Sequence, residues 1–271
     1  MTAYLNRWDQ ALLDVLEERD ADRKAALAQE ALASADGFAL EDAPRLFPPE
    51  RPGRPDRPAL IPPADVPRRR LGSPEGRGAL LHALAHIELN AIDLAADMAL
   101  RFAGEVPDAM RSAFVRDWMQ VMGEEGLHFS LLHRRMAELG VHYGDHPAHG
   151  GLWDAARQTS GDLVGRLAVA PMILEARGLD VTPGMIGKLK QAGDEPSADV
   201  LQVIYNDEIG HVRIGTYWFR ALNEARGADP AQTFHKCVMR YYPQGPKRPF
   251  NEEARTKAEL PRDWYEGVAP Q

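Results

Sequence analysis

The sequence predicts an all-α protein built on a bundle of four long helices, with a helical arm and a proline-rich connector before it and an extension after it. Three observations predict this class. Apolar residues recur at three- and four-residue spacing along most of the chain, and no run shows the period-two alternation of a strand. Glycines and prolines, in turn, mark the breaks between the long periodic stretches. The chain divides accordingly into an N-terminal helical segment over 1–43, a connector over 44–72, the bundle over 73–230 and an extension over 231–271 expected to pack on the bundle.

From about Ala3 to Ala33, Trp8, Leu12, Val15 and Leu16, then Ala25, Leu27 and Ala31, fall at helical spacing and predict one or two amphipathic helices. Ten prolines between Pro44 and Pro74 remove backbone donors and fix φ so often that neither a helix nor a central strand persists there. Ser73-Pro74 has the form of a cap followed by proline in the first turn, opening a helix to about Phe102 that Gly104 and Pro107 stop. A second long helix, capped by Asp108, runs to Gly140 and forms an antiparallel hairpin with the first. Val141 to Trp153 reads as a loop. A third helix covers Gly161 to Arg177 with a kink at Pro171, Thr182-Pro183 opens a short helix ending before Gly193, and Ser197 to Arg226 carries the fourth. The tail from Ala231 mixes a helical start with proline-rich coil.

Composition narrows the function. The net charge of -8 argues against a surface built for nucleic acid, and Arg68-Arg69-Arg70 reads as solvated linker. A single cysteine, Cys237, excludes an internal disulfide and any thiolate-rich metal site made by one chain, which suits a reducing cytoplasm. The first residues lack the pattern of a secretory signal, and no stretch approaches the roughly 20 apolar residues of a membrane span. The expected location is therefore cytoplasmic, without a membrane partner.

Two Glu-x-x-His motifs, Glu125 to His128 and Glu208 to His211, sit in the middle of predicted long helices. Residues three apart share a helical face, so each pair can offer a carboxylate and an imidazole to one metal. The numbers of Glu and His in the chain give roughly 0.6 such spacings by chance, so one motif alone carries little weight. The other two helices each add a carboxylate at a matching height. The midpoint of Glu88 and Glu125 falls on the Val106-Pro107 break, and that of Glu175 and Glu208 falls beside Gly193, more loosely because a short helix intervenes. Apolar neighbours at core spacing, among them Leu81, Leu84 and Ile92 around Glu88 and Trp118, Val121, Phe129 and Leu132 around Glu125, direct these carboxylates inward. Ionised carboxylates in an apolar interior need cations. Glu88, Glu125, His128, Glu175, Glu208 and His211 thus make a candidate ligand set for two metal ions, iron first, with manganese or a mixed Mn/Fe pair as alternatives. Glu124 competes with Glu125, but its spacing to His128 is four. His82 and His86 point away from Glu88 around the helix and read as structural or as supports behind the ligands, while Asn90, Asp93, Tyr205 and Asp207 are candidates for orienting ligands or lining the site. His142, Asp145, His146 and His149 read as exposed loop polarity rather than a second metal site or a lid, and the tail around Arg240, Tyr241, Tyr242, Lys247, Arg248 and Phe250 is expected to pack across the mouth of the bundle.

One Glu from each of two helices and Glu-x-x-His from each of the other two is the pattern that the ferritin-like di-iron carboxylate proteins carry, and the chain resembles that superfamily. Within it, the chain resembles domain-of-unknown-function family 455 from about Leu80 to Tyr265. This rests on His86-Ile87-Glu88 with Ala91-Ile92, Tyr143-Gly144-Asp145, Gly151-Leu152-Trp153, the run from Leu174 to Pro183, the run from Asp207 to Val212, Pro249-Phe250-Asn251 and Trp264-Tyr265. The resemblance implies a ferritin-like four-helix bundle and the metal site, and it brings no established substrate. The expected activity is an O2-dependent oxidoreductase, a hydroxylase or oxidase acting on a small organic molecule, with an electron donor as a possible further partner and a monomer or dimer as the assembly. A ferroxidase-like storage protein, a tRNA-modifying hydroxylase and a metal-stabilised scaffold are the competing readings.

Overall fold

The computed structural model describes residues 7–65 and 71–270. The helix start expected at Ala3 and the Arg68-Arg69-Arg70 linker lie outside the described residues. The regular structure of these residues is helical, and their only β feature is an isolated bridge between Leu60 and Ala148. They fall into two compact units, one ending at Trp153 and the other beginning at Asp154.

The first unit opens with α1 (Trp8–Glu17) and α2 (Ala21–Ala33). Trp8, Leu12, Val15 and Leu16 are buried, as their spacing predicts, and the Asp20 side chain caps α2 by accepting from the Arg23 N–H at 2.8 Å. The described part of the connector follows without α-helix and carries a 3₁₀ turn at Pro63–Asp65. It is fastened to the helices at points where the chain is narrow. The Gly53 N–H donates to Leu16 O at 2.6 Å, and a Cβ at Gly53 would lie 2.1 Å from Glu17 O.

Two long helices, α3 (Pro74–Phe102) and α4 (Asp108–Glu138), then form a hairpin. The Ser73 hydroxyl accepts from the Gly76 N–H, the cap that Ser73-Pro74 announces. The start of α4 differs from expectation. Pro107 occupies the capping position, and Asp108 is the first helical residue, where its charge favours the helix N-terminus and pairs with Arg111. Gly140, at φ 73, ends α4 in the left-handed conformation that glycine adopts without strain. α3 also departs from the expectation that no stretch suits a membrane. It is long and apolar enough to span one, yet 72% of its most apolar window is buried inside the protein. A helix apolar on most sides belongs in an interior, and α3 packs against α4, α1 and α2. On α4, Gly123 and Gly126 let α2 approach closely: a Cβ at Gly126 would stand 2.7 Å from Ala25 O, and one at Gly123 would stand 2.5 Å from Leu32 Cδ2.

The segment expected to remain a loop up to Trp153 turns helical at Gly151, where α5 (Gly151–Gln158) begins and carries the chain into the second unit. There, α6 (Leu163–Val169), a π-helical stretch over Ala170–Glu175 and α7 (Ala176–Gln191) follow without a break. The kink expected at Pro171 is thus a local widening of the helix, and the break expected before Thr182-Pro183 does not occur, since Pro183 lies inside α7. Proline removes the N–H that would reach the carbonyl four residues back. That carbonyl belongs to Leu179, and it accepts from the Asn251 side chain at 3.1 Å. The extension therefore supplies what the helix lacks.

Gly193, at φ 73, turns the chain into α8 (Glu195–Ala225), capped by the Asp194 side chain rather than starting at Ser197. α7 and α8 pack as a second hairpin. The tail holds more helix than expected, in α9 (Pro230–Tyr241), α10 (Glu252–Lys257) and α11 (Arg262–Glu266). These pack against α6, α7, α8 and one another. Pro171 presses on α8 at Gly215, where an added Cβ would lie 2.4 Å from two atoms of the proline ring. Gly215→Ala is expected to destabilise the protein by about 1–3 kcal/mol, because a rigid ring gives way poorly. Urea unfolding measures it, and a stability equal to wild type would mean that the ring moves freely.

Candidate metal centre

The α3–α4 hairpin brings three of the predicted residues together. Glu88 is 4% exposed, and Glu125 and His128 are fully buried. His128 Nδ1 lies 3.2 Å from Glu125 Oε2 and 3.5 Å from Glu88 Oε2. One ligand atom from each of the three falls within 4.8 Å of the others, close enough to share an ion. Ile92, Phe129 and Leu132, all buried, belong to the same hairpin core. The competing Glu124 is directed elsewhere, accepting from Gln120 Nε2 at the exposed side of α4.

The electrostatics of this cluster follow from its burial. The Glu88 carboxyl is held well above the ordinary carboxylate range, first by loss of solvent and then by the charge and hydrogen bond of Glu125, with His128 acting the other way. Two carboxylates this close cannot both ionise cheaply without a positive partner. A divalent cation supplies that partner, and two carboxylates with one imidazole suit iron, manganese or zinc. The donor set fits a metal.

In the second unit α8 presents Glu208 and His211 on one face, both buried, with His211 Nδ1 4.0 Å from Glu208 Oε2. Glu175 closes the π-helical stretch and is half-buried.

Most of the residues considered for orienting ligands are engaged otherwise. Asp93 pairs with Lys24, Asn90 accepts from Arg54 at 2.6 Å and Tyr205 accepts from Asn251 at 3.0 Å. His86 Nδ1 meets the Tyr143 hydroxyl at 2.8 Å, and His82 Nε2 accepts from the Gly144 N–H at 2.9 Å while stacking on Tyr143. The Tyr143-Gly144 motif therefore seats the loop after α4 on α3, with Gly144 at φ 101. Of the loop residues, His142 is capped through its N–H by Asp145, and His146 meets His82 edge-on. No three of these make a second metal group among the described residues. In the tail, Tyr241 donates to Asp162 and Arg248 pairs with Glu266. Asp180 receives Arg255 through two bonds of 2.9 and 2.7 Å, and Arg255 lies between the rings of Phe250 and Tyr265. Lys24, Arg54 and Arg255, which hold the buried polar network, gave no signal in the sequence. Their partners lie 69, 36 and 75 residues away.

An all-α protein with a buried carboxylate–histidine group able to bind a metal is the class that these observations define. The chain belongs to the family described as "Protein of unknown function (DUF455)", which matches residues 17–266. It is 38% identical over 265 residues to a protein of Haemophilus influenzae (strain ATCC 51907 / DSM 11121 / KW20 / Rd) named "Uncharacterized protein", covering 95% of this chain and 92% of the relative. No solved structure matches the chain.

Proposed function

We propose that the protein is a ferritin-like, di-iron type carboxylate protein that works in the cytoplasm as an O2-dependent oxidoreductase on a small organic substrate. The observation that carries this reading is the buried Glu88, Glu125 and His128 group. The second Glu-x-x-His pair on α8 supports it, since Glu208 and His211 repeat the Glu125 and His128 spacing on a buried face. With Glu175 these residues complete the four-Glu, two-His set for two metals.

In this reading Glu88 and Glu125 bind cations as carboxylates, and His128 adds a neutral ring nitrogen. Phe129, Leu132 and Ile92 keep bulk water from the group, which strengthens every charge interaction inside it. Bound metals would supply the electrons and open coordination positions for reaction with O2. An electron donor is required to reset the pair after each turnover.

The test combines metal analysis with oxygen uptake. Protein loaded with Fe(II) under anaerobic conditions is expected to retain about two equivalents per chain and, on mixing with O2, to consume it with transient visible absorption. Retention of no more metal than a His128→Ala variant would sink the proposal. Large mineral-filled particles with far more metal per chain would turn it toward storage.

A further inference from the structure

We propose that the cavity between the proline-rich connector and α3 is a binding site for a small organic anion, with Arg54 holding its acid group. The cavity measures about 280 Å³, near the small end of ligand sites. Arg54, Leu60, His86, Leu89, Asn90 and Tyr143 are among the residues that line it. Its floor is α3, and its wall is the stretch of connector that Pro55 and Pro58 stiffen.

Two guanidiniums, Arg54 and Arg57, line it, and the Arg54 charge already acts on the Asp93 carboxyl from a distance. Asp93 also lines the cavity, but it is paired with Lys24, both almost fully buried. Asp56 is paired with Arg19 at 2.8 Å on the exposed side. Arg54 is half-buried, donates to the neutral Asn90 side chain at 2.6 Å and lies 5.8 Å over the Trp153 ring. Among the described residues no carboxylate makes a direct ion pair with it, and the one it acts on, Asp93, is already held by Lys24. A guanidinium has five donors in a planar fork that matches a carboxylate or phosphate, and a partly buried one favours an anion beside it. The Tyr143 hydroxyl and the His86 ring add polar atoms, while Leu60, Leu89, Pro55 and Pro58 provide room for a small apolar body.

This site is separate from the metal group. At 100° per residue, His86, Leu89, Asn90 and Asp93 stand roughly 100–200° around α3 from Glu88. Binding should therefore not depend on metal.

Calorimetric titration of the full chain with benzoate, phenyl phosphate and neutral benzamide, each with and without a chelator, tests the proposal. At least one of the two acids should saturate at about one per chain and bind about tenfold or more tightly than benzamide, and the better acid shows which head group the fork prefers. Arg54→Gln should remove that preference. Leu60→Trp, at an exposed rim position, should block acid binding without disturbing the core. The proposal falls if neither acid saturates, if benzamide binds equally well, if the chelator abolishes binding, or if Leu60→Trp leaves acid binding intact.

Discussion

Exchanging Glu125 for glutamine is expected to have opposite effects on the protein with and without metal. In the metal-free state Glu88 and Glu125 are buried side by side, and each raises the cost of ionising the other. Because Glu88 is held above its ordinary value in the folded chain, its contribution is full in acid and is lost as pH rises from that value through the raised one. Glutamine keeps the shape and removes one charge, so metal-free Glu125→Gln should be more stable than metal-free wild type near neutral pH, by on the order of 1 kcal/mol. With metal the order reverses. A ligand present at a thousand times its dissociation constant adds about 4 kcal/mol to the wild type, and the variant forfeits most of this with its metal. Thermal unfolding of both proteins, as metal-loaded and chelated samples, measures the four values. If Glu125→Gln is the less stable protein in both states, the residue serves packing rather than a cation.

The parts of this molecule that were legible in the sequence are those set by local periodicity and capping. Ser73-Pro74, Gly140 and Gly193 mark helix ends because each acts through its own backbone. Glu125 and His128 share a face by spacing alone, and Glu88 reaches them because the hairpin folds at the Val106-Pro107 break. What failed depends on distant groups. Pro183 reads as a helix start until Asn251 is seen satisfying the Leu179 carbonyl, and Pro171 reads as a kink until Gly215 makes room for its ring. Asp93 invited a role beside the metal because its partner, Lys24, sits on a helix that no local pattern connects to α3.

That ion pair carries the second large effect. The Asp93 carboxyl is pushed up to about 6 by burial, while Lys24 draws it downward through charge and a hydrogen bond. Lys24 also donates to Gly53 O at 2.9 Å, so one ammonium ties α2, the connector and α3 together. Lys24→Met retains the apolar stem and leaves Asp93 with a weaker positive surrounding. Breaking a buried pair by removing one partner costs about 3–5 kcal/mol, and that is the loss expected at pH 8. The pH dependence identifies the cause. Asp93 in the folded wild type already binds its proton more tightly than its ordinary value of 3.8, so its contribution is full below that value and is lost as pH rises through about 6. Without Lys24 the folded value rises further, and the variant goes on losing stability above pH 6, by up to about 1.4 kcal/mol per pH unit relative to wild type. Near pH 5 both proteins hold Asp93 largely protonated, and the deficit shrinks toward the lost Gly53 bond, about 1 kcal/mol. Adding Asp93→Asn to Lys24→Met should recover much of the loss at pH 8 and little at pH 5. Urea unfolding at the two pH values decides it: a deficit independent of pH would place the cost in lost packing of the Lys24 stem and not in the stranded carboxylate.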